Sequence, residues 1–321
     1  MTVLDWMLDS DPSIRWQALR DLVDAPAQAV AAERARVATE GWGARLLALQ
    51  GEDGQWEGGA LFPSGRRYFD DGAHSDDEGQ PWTATAYSLL LLRDLGVDPR
   101  CDQARRAVAL VRDRCRWEHD GQPFFSGEVE PCVNGMVIVL GTYFDQDVNG
   151  VVARLLGEQL EDGGWNCEVE NGSVRSSFAT TIRVLEGLLA HERATGGSAA
   201  SIAARRRAEE YLLERKLFRR KSTGAVVDPA FLQFSFPTRW HYDVLRGLEY
   251  FQVGGDRRDR RLDEAVHLLR SKQQPDGTWL LENTHPGEVH FNLEEGDGRP
   301  SRWNTLRALR VLRWYGQSGG I

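Results

Sequence analysis

Gln159-Leu160-Glu161-Asp162-Gly163-Gly164-Trp165 is the stretch whose reading decides the fold. It returns as Gln50-Gly51-Glu52-Asp53-Gly54-Gln55-Trp56 and as Gln273-Gln274-Pro275-Asp276-Gly277-Thr278-Trp279, so Gln, Asp, Gly and Trp recur three times at one spacing. Each copy follows a Leu-Leu pair (Leu46-Leu47, Leu155-Leu156, Leu268-Leu269). The copies lie roughly 110 residues apart, about twice the length of a helical hairpin, so each gap should hold a weaker copy. Arg112 to Phe125, with Asp120-Gly121, and Leu212 to Asp228, with Thr223-Gly224, fill those places. In this turn Asp-Gly reverses the chain. The Gln amide can bond backbone exposed at a helix end, and the Trp ring fills the gap between neighbouring hairpins.

A second element follows each turn: an aromatic or small residue, then apolar residues at intervals of three and four. Six such starts occur, at Trp16, Trp82, Cys132, Phe178, Trp240 and Trp303, running to Leu22, Leu92, Leu140, Leu188, Leu248 and Leu312. Pro81, Pro131 and Pro237 stand at or just before three of them, and Ser13, Ser177 and Ser301 can cap the others. No convincing strand alternation occurs. Six inner helices, each preceded by a more charged partner, make an all-α α6–α6 toroid, an α/α barrel that takes residues 1–321 as one domain.

Composition bounds the rest. The chain has 321 residues, 41% of them hydrophobic and 27% charged, with a net charge of −9. That balance is ordinary for a soluble globular protein and argues against a nucleic-acid partner. Basic runs such as Arg205-Arg206-Arg207 sit in amphipathic helical stretches and read as solvated faces. No apolar run approaches the roughly 20 residues that span a bilayer, and Met1 to Asp11 shows no basic n-region of a signal peptide. The four cysteines (Cys101, Cys115, Cys132, Cys167) lack CxxC pairing, and a cytoplasmic protein with reduced thiols is expected.

The Q-x-x-D-G-x-W turns resemble the QW motifs of squalene-hopene cyclases and, more loosely, the repeats of protein prenyltransferase β subunits. The chain also resembles short single-barrel bacterial squalene-cyclase-like proteins, through Gly163-Gly164-Trp165-Asn166-Cys167, Phe236 to Asp243 (FPTRWHYD) and Pro300 to Arg310 (PSRWNTLRALR). The resemblance implies an isoprenoid enzyme, a terpene cyclase- or prenyltransferase-like transferase, lyase or isomerase, with a prenyl or other apolar substrate in the barrel. Two features depart from it. Cyclases of this group use two barrels, and their D-x-D-D acid is replaced here by His74-Ser75-Asp76-Asp77. Protonating an unactivated alkene needs a strong acid with a stabilised conjugate base, which argues against squalene cyclisation.

If the inner helices start at one mouth, their first residues converge there. Cys132, Cys167 and His241 then form a candidate metal set, since two thiolates and an imidazole suit Zn²⁺ with one position open; the alternative is buried thiols and a satisfied polar histidine. His241 and Asp243 are candidate catalytic residues, as are Asp76 and Asp77 of the acidic run Asp70 to Glu78. That run can hold Mg²⁺ with a diphosphate, or be a solvated loop. Trp82, Arg239, Trp240, Tyr242, Arg302, Trp303 and Asn304 are candidate substrate contacts: π faces for carbocations, guanidinium groups for phosphate or carboxylate. Packing between hairpins and pairing with rim carboxylates are the plainer roles. Three function classes follow: an isoprenoid enzyme, a Zn-dependent toroid enzyme on a polar or thiol substrate, and a non-enzymatic binding toroid. The oligomeric state is left open.

Overall fold

The computed structural model describes residues 2–64, 79–254 and 259–317. In chain order its helices are α1 (Val3–Leu8), α2 (Pro12–Asp21), α3 (Ala27–Arg36), α4 (Gly41–Ala48), α5 (Thr85–Leu95), α6 (Asp102–Arg114), α7 (Pro131–Tyr143), α8 (Asn149–Gly157), α9 (Phe178–Thr195), α10 (Ala199–Leu213), α11 (Val244–Gly254), α12 (Asp263–Ser271) and α13 (Arg302–Gln317). Among the described residues the sheet is one pair, β1 (Trp279–Leu280) and β2 (Pro300–Ser301). The all-α expectation holds.

Helices α5, α7, α9, α11 and α13 each pack against the next, and α13 packs against α2. The Trp16 indole N–H donates to Leu95 O at 3.0 Å, joining α2 to α5 and closing the ring. The outer helices α4, α6, α8, α10 and α12 alternate with the inner ones along the chain.

The recurring turns staple three helices at a time. Each Trp indole donates to the carbonyl ten residues back: Trp56 to Leu46, Trp165 to Leu155 and Trp279 to Leu269, at 2.7–2.8 Å. Each Trp backbone N–H donates to a threonine hydroxyl of the following inner helix: Thr85, Thr181 and Thr305. The Gln side chain donates across its own turn and on to a carbonyl within the next outer helix, Gln50 to Ala107 and Gln159 to Ala204. That second acceptor lies inside a helix, not at its end, because the turn nestles against the flank of the next hairpin. All three indoles have no solvent exposure. The degenerate copies are present too: Asp120-Gly121 has positive φ at both residues, and Trp117 packs on Phe124 beside it.

Two helix starts differ from the sequence reading. Helix α5 begins at Thr85, not Trp82, because Trp82 is held in extended chain by its N–H on Glu288 O and its indole N–H on Pro286 O. Helix α11 begins at Val244, because Thr238 to His241 form a turn with Arg239 at φ +53°. Ser177 and Ser301 receive N–H bonds at the starts of α9 and α13, whereas Asp11 rather than Ser13 caps α2.

The α7–α9 crossing is the closest in the ring. A Cβ at Gly135 would stand 2.7 Å from Arg183 O, and one at Gly187 would stand 2.7 Å from Gly135 O. Backbone meets backbone there, so Gly135→Ala should destabilise by about 1–3 kcal/mol despite its better helix propensity. Urea unfolding checks this, and a gain in stability would contradict the close crossing.

Candidate functional site

The start of α7 and the turn after Trp165 bring two thiols together. Pro131 occupies the first turn of α7, which fixes Cys132 at the helix entrance. Burial of the Trp165 ring fixes the chain two residues before Cys167, which sits in a short 3₁₀ turn. The close α7–α9 crossing then draws the two segments together. One ligand atom each from Glu130, Cys132 and Cys167 lies within 4.8 Å of the other two. The Cys132 thiol donates to Glu130 Oε2 at 3.3 Å, and Cys167 Sγ lies 3.5 Å from Thr180 Oγ1. The Cys132 sulfur beside it holds Cys167 below the usual thiol range, while Cys167, burial and the Glu130 carboxylate push Cys132 well above it.

His241, expected as the third ligand, is not in this cluster, and Glu130 is the third ligating group within reach of the two sulfurs. The imidazole of His241 is sandwiched between Trp240 at 3.7 Å and His285 at 3.6 Å, centroid to centroid. Its Nδ1 is buried without a hydrogen-bond partner among the described residues. His285 belongs to the segment between β1 and β2, which folds over this end of the ring: Pro286 and Glu288 hold Trp82, and His290 Nε2 lies 2.9 Å from Ser88 Oγ.

Burial lowers the pKa of His241 to about 3 and of His285 to about 4, with the neighbouring ring and Arg246 adding to the effect on His241. Both are neutral when folded, while the unfolded chain takes up protons below pH about 6.5. Stability is therefore fully present above that pH and is lost as pH falls towards 4. We expect a loss of about 2–4 kcal/mol between pH 7 and 4.5, below the full shift because half-buried rings can swing out to water. Urea titrations at both pH values check it. His241→Phe should remove about half of the acid loss, and an unchanged loss would contradict the assignment.

Of the other candidates, Asp243 is spent on structure. Its carboxylate receives the N–H of Ser235 and that of Arg246 in the first turn of α11. Tyr242 is buried, with its hydroxyl donated to Leu217 O. Asn304 is buried and donates to Phe234 O and Leu280 O. Arg302 reaches back to Trp6 O. Trp240 is 45% exposed. Asp76 and Asp77, with the rest of the acidic run from 70 to 78, lie outside the described residues.

Arg239 and Trp303 line a central cavity of about 620 Å³. Its wall runs along α5, α9 and α11 with parts of α2 and α13, from Arg239 and Trp303 at the helix starts to Gly96, Arg193 and Val253 at the helix ends. Sequence reasoning placed the ligand space at the helix starts. It also missed the wall chemistry, which is nine arginines against three carboxylates (Asp94, Glu186, Glu249), with rings such as Trp16, Phe236 and Trp303 between them. Arg183 and Arg246 share Glu186, and Arg307 pairs with Glu249 at 2.6 Å. Burial alone would raise Glu186, but Arg246 and Arg183 beside it hold its pKa at about 2.

No family model matches the chain, and no curated protein matches it. Among solved structures it is similar to the apo structure of the type II terpene cyclase MstE from Scytonema, with a TM-score of 0.40 and 17% identity over 94% of this chain and 86% of that one. A likeness at that level gives no residue of this chain a role.

Proposed function

We propose that the protein is a zinc-dependent toroid enzyme whose metal is held by Cys132, Cys167 and Glu130, with the fourth position open to a polar or thiol substrate. The supporting observation is the approach of these three ligand atoms to within 4.8 Å of one another from two separate segments. The donor set is two sulfurs and one carboxylate oxygen. Soft sulfur favours Zn²⁺ over Mg²⁺ or Ca²⁺, and three protein ligands are the usual number at a catalytic zinc. Bound zinc would act as a Lewis acid on a thiol, water or carbonyl oxygen. The chain's own part is to hold the ligands: Pro131 and the α7 start for Cys132, the Trp165 turn for Cys167, and Thr180 beside the Cys167 sulfur. The isoprenoid reading remains the second one. It rests on the Q-x-x-D-G-x-W turns and on Trp16, Phe236 and Trp303 as rings along which an apolar chain can lie.

Competition against a chromophoric chelator tests the metal. Wild-type protein should take up one equivalent of Zn²⁺, Cys132→Ser and Cys167→Ser should each bind at least 100-fold more weakly, and His241→Phe should bind as wild type does. Equal affinity of wild type and both cysteine variants would end the proposal.

A further inference from the structure

Most of the arginines around the central cavity have evident structural employment. Arg34 donates to Gly96 O at 2.9 Å and to the Tyr143 hydroxyl, and Arg193 donates to Val253 O, so these rim residues cap the negative ends of inner helices. Deeper in, Arg183 and Arg246 share Glu186, and Arg307 pairs with Glu249. Arg239 is different. It is 7% exposed, and among the described residues its guanidinium has no carboxylate and no hydrogen-bond acceptor; its partner is the face of Trp82 at 5.3 Å. It faces the central cavity and also a smaller one of about 160 Å³ beneath the segment between β1 and β2. Its backbone sits in the left-handed region, φ +53°, where a non-glycine residue is strained. Burial depresses its pKa to about 10, so it remains charged at neutral pH.

A nearly buried, charged guanidinium with no carboxylate among the described residues is costly unless water or an anion in the cavity completes it. The surrounding wall adds to the demand: its arginines still outnumber the carboxylates when Asp21, shared by Arg20 and Arg310, and Asp243 beside Arg307 are counted with Asp94, Glu186 and Glu249. One carboxylate ligand would leave most of that excess. Guanidinium forks bind phosphate oxygens bidentately, and several forks around one chamber match a group bearing several negative charges. A volume of about 620 Å³ is that of a small-molecule site.

We propose that the central cavity binds a multiply phosphorylated small molecule, gripped by Arg239 at its floor and by the arginine wall around it. This site is independent of the cysteine cluster, and its test is run on metal-free protein so that failure of one leaves the other standing.

Calorimetric titration of EDTA-treated protein in about 150 mM salt uses inorganic tripolyphosphate, pyrophosphate and citrate as probes, the salt suppressing loose surface binding. Wild type should bind tripolyphosphate saturably, one per chain, and at least tenfold more tightly than citrate. Arg239→Gln should weaken it at least tenfold, while Arg154→Gln, whose arginine pairs with Glu158 on the outer helix α8, should leave it unchanged. Should Arg239→Gln fail to fold, Ala190→Glu, which puts a carboxylate on the cavity wall, should produce the same loss. Absence of saturable binding by wild type overturns the proposal. So does retention of wild-type affinity by the folded cavity variants, and so does equal affinity for citrate.

Discussion

Trp165→Ala should lower unfolding free energy by about 3–5 kcal/mol, the usual range for deleting a fully buried tryptophan. The ring has no exposure, sits between two hairpins, and carries the indole N–H that satisfies Leu155 O at the end of α8. Truncation leaves a cavity and strips Leu155 O of one of its two donors, the other being the Glu158 N–H at 3.2 Å, and the neighbouring helices cannot collapse into the gap because the Gln159 and Thr181 bonds still hold them apart. Trp165→Phe separates the two losses: it keeps most of the apolar contact and gives up the hydrogen bond, so about 1–2 kcal/mol is expected. The same substitutions at Trp56 and Trp279 should agree within about 1 kcal/mol, since the bonds recur there. Urea unfolding measures all of them. A loss below about 1 kcal/mol at all three would contradict the stapling role.

Glu186→Ala should be comparably destructive, about 3–5 kcal/mol, for an electrostatic reason. Arg183 and Arg246 are 4% and 3% exposed, and this one carboxylate accepts from both. Removing it strands two nearly buried guanidinium groups on the cavity wall without their shared carboxylate, and breaking a buried ion pair from one side is the costly way to break it. Because Glu186 titrates near 2, the effect should be the same at pH 6 and pH 8. Glu186→Gln should fall between, keeping acceptor geometry without charge. If the cavity takes phosphorylated ligands, tripolyphosphate should restore part of the lost melting temperature in Glu186→Ala. A variant as stable as wild type would show that the arginines are already satisfied by other groups.

What the sequence disclosed follows from the range of the interactions involved. The Q-x-x-D-G-x-W turn is local: its Asp-Gly reversal and its Trp-to-Leu bond lie within eleven residues, so the repeat is visible without structure. Cys132 and Cys167 were legible as a pair because each is tied to a recognisable helix start or turn. Glu130 was missed although Glu130-Pro131-Cys132 put a carboxylate two residues before a thiol at a proline-marked helix entrance. His241 lies outside the cysteine cluster, where a helical register carried back to Trp240 had placed it, because Thr238 to His241 form a turn. The arginine wall is a long-range feature, but it left a trace: Arg183 and Glu186, Arg246 and Glu249, and Arg307 and Arg310 each stand three apart on helices that otherwise present apolar residues to the core. Charged pairs on the buried face of an inner helix announce a polar cavity.

The metal site is tested most directly by zinc-edge X-ray absorption of the zinc-loaded protein. Two sulfur neighbours at about 2.3 Å and lighter oxygen neighbours near about 2.0 Å are expected, with the sulfur shell reduced to one in Cys167→Ser. A spectrum without sulfur neighbours, or one with an imidazole contribution that disappears in His241→Phe, would contradict the assignment of Glu130, Cys132 and Cys167 as the ligands.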